Sequence, residues 1–224
     1  MVSIKQLFLA SLPTLSIASD AKQNSDSPEG SELIANFPQG GSNQIHGYVK
    51  FTGLQNGSVQ VDAKFENLPK EGGPFQYHIH EAPVPSNGSC LATLAHFNPN
   101  HGNKTDCPSQ HNNAGCELGD LSGKHGYIPV SQDGSFETSY VDEWLSINPQ
   151  NDYYFGNGDR SLTLHYANTS RIACANFESK QVGGSNGTNG SSSSVPPVST
   201  ADSLGNSVGM SGVAIIAGIA AYLI

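Results

Sequence analysis

Three histidines lie close together in the segment FQYHIHEAPVPSNGSCLATLAHFNP (residues 75–99) of the 224-residue chain: His78, His80 and His96. Side chains at positions i and i+2 of an extended strand share one face and lie about 6.5–7 Å apart, a spacing at which two imidazoles can bind one ion. His165 lies on the polar face of the alternating run SLTLHYA. The four imidazoles predict a metal site, and an all-imidazole set suits Cu(II) or Zn(II). Spacing alone does not choose between the two metals.

Short, β-rich runs that would position these histidines fill residues 30–180, from IHGYVKFTGL and SVQVDAKFENL to RIACANFE. Asn56-Gly57 and Asp133-Gly134 are hairpin signals between such runs, so neighbouring strands are expected to be antiparallel. The pattern predicts an all-β fold, a small antiparallel β-sandwich or barrel. Residues 96–126 show no strand or helix pattern, and structured loops of this length are usually functional.

Both ends of the chain have the composition of processing signals. Residues 1–20 combine Lys5, an apolar run and small residues, the layout of a secretory signal peptide. Residues 181–205 are rich in Ser, Gly and Asn, which predicts a flexible stalk. Residues 206–224 end in an uncharged apolar tail, which predicts a removable GPI-anchor signal. A transmembrane helix is the alternative, but the tail is shorter than the roughly 20 apolar residues that a span needs.

Cysteine usage and sequons agree with export from the cell. Four cysteines in an exported chain predict two disulfides, and the sequence permits three pairings. The cysteines are Cys90, Cys107, Cys116 and Cys174. The glycosylation sequons lie at Asn56, Asn87, Asn103, Asn168, Asn186 and Asn189. The net charge of -9 argues against a nucleic acid partner, because phosphate binding needs a basic surface.

Five motifs occur in order over residues 32–179: HIHE, GSCLATLAHFNP, GCELGDLSG, SLTLHYAN and RIACANF. Together they resemble the Cu/Zn superoxide dismutase family, most closely its fungal cell-surface, copper-only branch. The resemblance implies a Greek-key β-sandwich or barrel of about eight strands with long functional loops. It also implies an enzyme that converts superoxide to dioxygen and hydrogen peroxide by Cu(II)/Cu(I) cycling.

The resemblance carries over to individual residues. It implies that Arg171 lies beside the open coordination position and holds the superoxide anion. It implies that one copper ion is bound by four ligands: His78, His80, His96 and His165. We interpret His96 as the proton carrier of the reaction as well as a ligand. The resemblance also implies a Cys90–Cys174 disulfide, which leaves Cys107 to pair with Cys116.

Two departures from the family pattern concern zinc and access to the copper. Glu117 stands where zinc-binding relatives have a histidine, three residues before Asp120, and His101 follows His96 too closely to match the next zinc ligand. We therefore expect no zinc, and we expect Glu117 and Asp120 to accept a hydrogen bond from the second ring nitrogen of His96. Only YANTS separates His165 from Arg171, so the loop that covers copper in relatives is missing and we expect an open site.

These features predict a secreted, GPI-anchored, monomeric enzyme at the cell surface, with cell-wall glucan as a further partner. Three alternatives remain. An α-carbonic-anhydrase-like zinc hydro-lyase uses a similar His-x-His pair, but its domain is usually larger. A cupin needs a glutamate a few residues beyond the pair, whereas Glu81 follows His80 directly. The third alternative is a non-enzymatic copper-binding surface protein of the same fold.

Overall fold

Eight β-strands make up almost all of the regular structure in the computed structural model, which describes residues 20–42, 44–102, 107 and 113–180. The strands are β1 Glu32–Phe37, β2 Gly40–Gly41, β3 His46–Gly53, β4 Val59–Glu66, β5 Gln76–His80, β6 Phe136–Asp142, β7 Ser161–His165 and β8 Arg171–Lys180. They are accompanied by one short helix, α1 (Leu121–His125), and by two 3-10 turns, Cys90–Thr93 and Asn113–Gly115. The predicted all-β class is confirmed.

The strands form an antiparallel sheet in the order β5-β7-β8-β1-β3-β4-β6, with β2 paired to β8. Neighbours such as β8 and β1 are distant in sequence, so connections cross between parts of the sheet, as in Greek-key sandwiches. The two end strands approach each other, because the hydroxyls of Tyr77 on β5 and Tyr140 on β6 are 3.0 Å apart. The sheet therefore curls toward a barrel and encloses the core.

One of the two predicted hairpin turns joins paired strands. Asn56-Gly57 connects β3 to β4, with Gly57 at φ +79° and its amide donating to the Leu54 carbonyl. This left-handed backbone is the conformation that glycine adopts without steric cost. Asp133-Gly134 instead precedes β6, whose partner is β4, and Gly134 accepts a hydrogen bond from the Leu68 amide. Sequence pattern misses this because the partner strand is not the one before the turn.

Apolar side chains that alternate along the strands fill the interior. Val49, Phe51, Val61 and Phe65 are all buried. Phe51 packs edge-on against the ring of Phe155, with centroids 5.1 Å apart. Each large side chain removed from water contributes about 1.5–3 kcal/mol, so the barrel core is the main source of stability. The core fixes the pleat of the strands, and hence the face on which each polar residue lies.

The region 96–126 contains one short helix that the sequence does not predict. Helix α1 begins after Asp120, whose side chain accepts a hydrogen bond from the Gly123 amide, and it ends before Gly126. A helix of five residues is too short to show a hydrophobic period, so only the capping residue marks it.

Both disulfides form as expected. Cys90 is bonded to Cys174 and Cys107 to Cys116, and no cysteine is free. The first bridge spans 84 residues and ties the turn Cys90–Thr93 to β8. Closing a loop of that length can stabilise the fold by about 4 kcal/mol if the effect is chiefly on the entropy of the unfolded chain.

Regions outside the barrel leave several predictions open. Residues 20–29, which precede the predicted domain, lie against it, since Ala21 is buried and its amide donates to the Ala114 carbonyl. The described residues belong to the compact unit Met1–Gly184. Their helices are all too short or too polar to cross a bilayer. The proposed signal peptide (apart from residue 20), stalk and tail lie outside the described residues.

A buried cluster of charged side chains lies at the end of β6. Asp142 is fully buried, and its Oδ2 accepts hydrogen bonds from Lys124 Nζ at 2.6 Å and from His125 Nε2 at 2.8 Å. Its Oδ1 accepts from the amides of Trp144 and Leu145. Burial acts to raise the pKa of Asp142, but the charges and hydrogen bonds of Lys124 and His125 outweigh it, so the net pKa lies well below its ordinary value.

The depressed pKa of Asp142 predicts how stability changes with pH. Because the unfolded chain binds a proton on this carboxyl more readily than the folded chain does, the stabilisation is complete above the ordinary pKa of about 3.9 and is lost as pH falls below it. We expect the free energy of unfolding to fall by about 2 kcal/mol from this group between about pH 5 and pH 2. Urea unfolding at a series of pH values measures it.

Substitutions provide the comparison for this effect. Asp142→Asn should lower stability at neutral pH by about 3–5 kcal/mol, since Lys124 loses its buried partner, and should flatten the acidic limb of the curve. Asp62→Asn removes a carboxylate that pairs with Lys50 at 3.3 Å in a partly exposed position and should cost only about 0–1 kcal/mol. An Asp142→Asn curve that stays parallel to wild type below pH 5 would contradict the assignment.

Candidate metal centre

The barrel brings the four sequence-predicted histidines to one place. His78 and His80 lie on the same face of β5, and His165 lies at the end of the neighbouring strand β7, opposite Gln76. His96 follows the turn Cys90–Thr93 and forms an isolated β-bridge with His80. One ligand nitrogen from each ring lies within 4.8 Å of the others. The quartet is the geometry that metal binding requires, with two ligands from one strand and two from adjoining segments.

Each ring of the quartet has an inner nitrogen, which faces the other three rings, and an outer nitrogen, which faces away from them. Backbone carbonyls bond the outer nitrogen of two of these histidines. His80 Nδ1 lies 3.0 Å from the Leu94 carbonyl, and His165 Nδ1 lies 2.9 Å from the Thr169 carbonyl. A carbonyl only accepts, so both Nδ1 atoms carry the hydrogen and both Nε2 atoms are bare. Leu94 and Thr169 have φ of +62° and +68°, a region that residues other than glycine adopt at a cost. The backbone is thus strained at the two carbonyls that orient these rings.

Carboxylates hold the outer nitrogen of the other two rings. His96 Nδ1 lies 2.5 Å from Glu117 Oε2, and His78 Nε2 lies 3.2 Å from both Asp120 Oδ1 and Ser122 Oγ. Burial acts to raise the pKa of Asp120, but hydrogen bonds, chiefly from His78, outweigh it and the net pKa lies below its ordinary value. Asp120 therefore accepts from His78 and not from His96, which corrects the sequence-based expectation. Glu117 bonds His96 as expected.

The inner nitrogens of the four rings face one another without hydrogens to share. His78 Nδ1 is buried and has no hydrogen-bond partner among the described residues. His80 Nε2 and His165 Nε2 are 3.1 Å apart, although the outer bonds leave both without a hydrogen. Two bare nitrogens at that distance repel unless a proton or a cation lies between them. The donor set therefore fits a metal ion that is bound by nitrogen.

Burial keeps these rings in the form that binds metal. It lowers the pKa of His80 to about 2 and that of His165 to about 3, and neighbouring histidines and Arg171 add to both shifts. Burial also lowers the pKa of His78, against the opposing hydrogen bond to Asp120. Neutral imidazole is the ligand form, so the site is ready to bind a metal at neutral pH.

Arg171 is held beside the quartet by backbone carbonyls. Its Nη1 donates to the Cys90 carbonyl at 2.6 Å and to the Leu91 carbonyl at 2.8 Å, and its Nη2 donates to the Leu94 carbonyl. Because Leu94 also accepts from His80, a single carbonyl separates the guanidinium from a ring of the quartet. The Cys90–Cys174 disulfide fixes the same turn to β8, the strand that Arg171 begins. The cation is therefore positioned rigidly.

Thr93 contacts these groups and was not predicted from the sequence. Its buried hydroxyl donates to the Cys90 carbonyl at 2.8 Å. The same oxygen lies 3.2 Å from His80 Nδ1 and 3.2 Å from Arg171 Nη1, from which it accepts. Leu94, Thr169 and Ser122 were missed as well. Main-chain carbonyls leave no signature in a sequence, and a single serine or threonine is too common to be a signal.

The prediction that the protein binds no zinc depends on Glu117. The side chain of Glu117 occupies the outer nitrogen of His96, the position through which a bridging histidine would reach a second metal. The absence of zinc stays a prediction.

β7 and β8 are joined by a tight turn in which the Tyr166 amide donates to the Ser170 carbonyl. Of the four rings, His96 is the most exposed, at 10% of its side chain.

Three of the predicted glycosylation sequons lie in described parts of the chain. Asn56, Asn87 and Asn168 are exposed, each in a turn where its side-chain oxygen accepts from an amide two residues later. The other three sequons, Asn103, Asn186 and Asn189, lie outside the described residues. Exposure is what a glycan requires, and glycosylation itself stays a prediction.

Comparison with known proteins agrees with this geometry. The sequence profile of the copper/zinc superoxide dismutases matches residues 45–189. The cell surface Cu-only superoxide dismutase 5 of Candida albicans is 39% identical over 175 residues, which is 78% of this chain and 72% of that protein. The cell surface superoxide dismutase (Cu-Zn) 6 of the same organism is 38% identical over 178 residues, 80% of this chain. The chain spans only 54% of the length of that second relative.

Solved structures give the same answer. The Cu(II) form of Candida albicans superoxide dismutase 5 has a TM-score of 0.61 and 39% identity, and the match covers 70% of this chain and 97% of that one. The matched profile covers well over half of the sequence. The chain belongs to the copper/zinc superoxide dismutase family.

Proposed function

We propose that the protein is an extracellular superoxide dismutase that uses one copper ion per chain and no zinc. The observation that carries the proposal is the quartet of imidazoles whose inner nitrogens lie within 4.8 Å of one another, next to a fixed arginine. A copper-only relative of 39% identity supports the choice of metal. In this proposal the quartet and Arg171 form the catalytic site.

Four nitrogens would hold the metal: Nδ1 of His78 and Nε2 of His80, His96 and His165. Copper bound there supplies one-electron cycling between Cu(II) and Cu(I), which converts two superoxide ions and two protons into dioxygen and hydrogen peroxide. The protein supplies the ligand geometry in advance, because every ring is oriented through its outer nitrogen. The rings of His78, His80 and His165 are buried, so the fold sets their positions before an ion binds.

Arg171 would bind the superoxide anion. Its Nη1 and Nη2 are anchored to carbonyls of residues 90–94, so the guanidinium keeps its place near His80. Arginine stays protonated and offers several donors in one plane, which suits a small diatomic anion. A net charge of -9 on the whole chain repels anions, so local attraction by this cation is needed for fast encounter.

His96 would carry a proton to the product. Glu117 holds its Nδ1 at 2.5 Å, so a proton can be taken up and released only at Nε2, the atom that faces the quartet. This is the arrangement of a general acid with one nitrogen fixed by a carboxylate. It also supports the absence of zinc, because the nitrogen that would bridge to a second metal is already bonded to Glu117.

Cell-surface location is the remaining part of the proposal. The relatives in Candida albicans are named as cell surface proteins, two disulfides are present, and three sequons are exposed. We propose secretion through a signal peptide in residues 1–20, a stalk in residues 181–205 and a GPI anchor whose signal lies in residues 206–224. The membrane and cell-wall glucan are the proposed partners, and the enzyme is proposed to act as a monomer.

Metal content tests the central claim. Purified protein, stripped of metal and reconstituted with copper and zinc together, should hold one copper and no zinc per chain, because a given set of nitrogen ligands binds Cu(II) more tightly than Zn(II). It should show a Cu(II) EPR signal and dismutase activity. Atomic absorption and EPR measure the outcome. Stoichiometric zinc with no cupric signal after incubation with copper sulfate would favour a zinc hydro-lyase, and bound copper without activity would favour a copper-binding protein.

Removal of Arg171 tests anion binding. Arg171→Ala should keep its copper and its EPR signal but lose about 10- to 100-fold in dismutase rate, since one charge-assisted contact to the anion contributes about 1.5–3 kcal/mol. Arg160 is the only other arginine in the chain and serves as the matched control. Arg160→Ala removes the same charge and should change the rate little. Equal losses in both variants would mean that overall charge, and not Arg171, governs the reaction.

Removal of His96 tests proton delivery. His96→Ala should lower turnover by about 100-fold or more, the usual contribution of a positioned general acid. The exposed His46 at the start of β3 is the control, and His46→Ala should retain activity. Pulse radiolysis measures turnover in each variant at matched copper content. Full activity in His96→Ala would refute the proton-carrier role.

A further inference from the structure

Lys124 is a buried cation that belongs to neither the ligand set nor the anion site. Its side chain is 1% exposed and lies in helix α1. Its Nζ donates to Asp142 Oδ2 at 2.6 Å and to the Leu118 carbonyl at 2.8 Å. The ring of Trp144 lies 5.8 Å from the same nitrogen. The ammonium group thus connects the end of β6 to a main-chain carbonyl six residues earlier in its own segment.

The segment from Glu117 to Lys124 carries both carboxylates that bond rings of the metal centre. Leu118 lies between Glu117, which holds His96, and Asp120, which holds His78. Asp120 also accepts from the Gly123 amide, so the chain folds tightly around its side chain. Lys124, the last residue of this segment, donates to the Leu118 carbonyl near its start. A shift of the Leu118 carbonyl would move the carboxylates on either side of it.

Stability alone does not explain why a lysine is buried here. Removing an ammonium and a carboxylate from water is costly, and a well-packed apolar pair in place of a buried ion pair often leaves a protein equally stable. An apolar pair does not fix the direction and length of a contact as a hydrogen bond does. Lys124 has donors that fix the distance to Asp142 and to the Leu118 carbonyl at the same time, and this geometric restraint is the specific contribution of the charge.

We propose that Lys124 is a positioning residue for the metal centre, acting through Leu118 to hold Glu117 against His96 and Asp120 against His78. The inference rests on the proposed copper function, but its physical content is the choice of ring nitrogen. While Asp120 accepts from His78 Nε2, His78 Nδ1 stays bare and faces the quartet. If the segment moves, the hydrogen of His78 is free to redistribute between the two nitrogens, and the ligand is lost for part of the time.

The test uses the full chain with Lys124→Met and Asp142→Asn combined. Methionine keeps an unbranched side chain of similar length, and asparagine keeps the acceptor for the amides of Trp144 and Leu145, so neither change leaves a buried charge. In metal-free protein, ¹⁵N-resolved imidazole spectra report the tautomer of each histidine. We expect wild-type His78 to show one tautomer with the hydrogen on Nε2, and the double variant to show a mixture.

Copper binding gives the second measurement. Chelator competition should show a loss of about tenfold in Cu(II) affinity, the lower end of the effect seen when partners of metal ligands are removed. The Cu(II) EPR spectrum should change its hyperfine splitting, because the positions of His78 and His96 change. His80 and His165, which are oriented by Leu94 and Thr169, should keep their wild-type tautomers.

A matched control separates positioning from general destabilisation. Leu33→Ala truncates a buried side chain of β1, a strand that pairs with β3 and β8, and lowers the stability of the barrel. Compared under conditions in which all variants are folded, Leu33→Ala should keep the wild-type tautomers, affinity and EPR spectrum. A double variant with the wild-type His78 tautomer and unchanged spectrum would overturn the inference, and so would a Leu33→Ala variant with the same changes.

Two further outcomes are distinguishable. A wild-type protein that binds no copper but shows the Nε2 tautomer of His78, lost in the double variant, would defeat the proposed function and leave the positioning role of Lys124 intact. If the double variant does not fold, Lys124→Met alone carries the same test, since it removes the donor to the Leu118 carbonyl while Asp142 keeps His125 and the amides of Trp144 and Leu145 as partners. It should move the His78 tautomer in the same direction, and no movement would overturn the inference.

Discussion

The structure depends on one constraint: each imidazole of the quartet has two nitrogens, and the protein bonds the outer one. Leu94 and Thr169 do so with carbonyls, and Glu117 and Asp120 do so with carboxylates. The inner nitrogens are left bare and close together, an arrangement that is electrostatically unfavourable without a cation. Folding of the barrel therefore holds the four rings in an arrangement that favours a bound metal ion. The strained φ angles of Leu94 and Thr169 are part of the free-energy cost of this arrangement.

Around this constraint the fold divides into two supports. One is the turn after Cys90, which the disulfide to Cys174 and the donors of Arg171 attach to β8. The other is the segment from Glu117 to Lys124, which Asp142 attaches to β6. The first support orients His80 and Arg171, and the second orients His78 and His96. Both are loops fastened to strands, so the rigid barrel determines the geometry of groups that the strands do not themselves carry.

The paired carboxylates and Arg171 lie on different sides of the quartet, in a chain that is acidic as a whole. A net charge of -9 disfavours the approach of an anion, yet two carboxylates lie within hydrogen-bonding distance of the quartet. They face the outer nitrogens, where they bind hydrogens and stabilise neutral, basic ligands. Arg171 lies on the opposite side of His80, across the Leu94 carbonyl. The rings thus separate the two carboxylates from the Arg171 cation.

Local patterns predicted much of this protein. Alternation in the strands, the turn at Asn56-Gly57 and the His78-x-His80 pair depend only on neighbours in the chain, and all three were correctly assigned. The resemblance to a family added the partners of the two disulfides and the role of Glu117. The hairpin at Asp133-Gly134 and the partner of Asp120 were wrong, since each depends on which distant segment packs alongside.

The sequence by itself determined the types of ligand, their spacing on β5 and the class of fold, because residue type and local period are written in it. Only the tertiary structure decided which nitrogen of each ring faces the shared centre, that Thr93 and Leu94 contact the rings, and that Lys124 pairs with Asp142. The reason is physical: hydrogen bonds to main-chain carbonyls and buried ion pairs join residues far apart in sequence, and no local pattern records such a contact until the barrel closes.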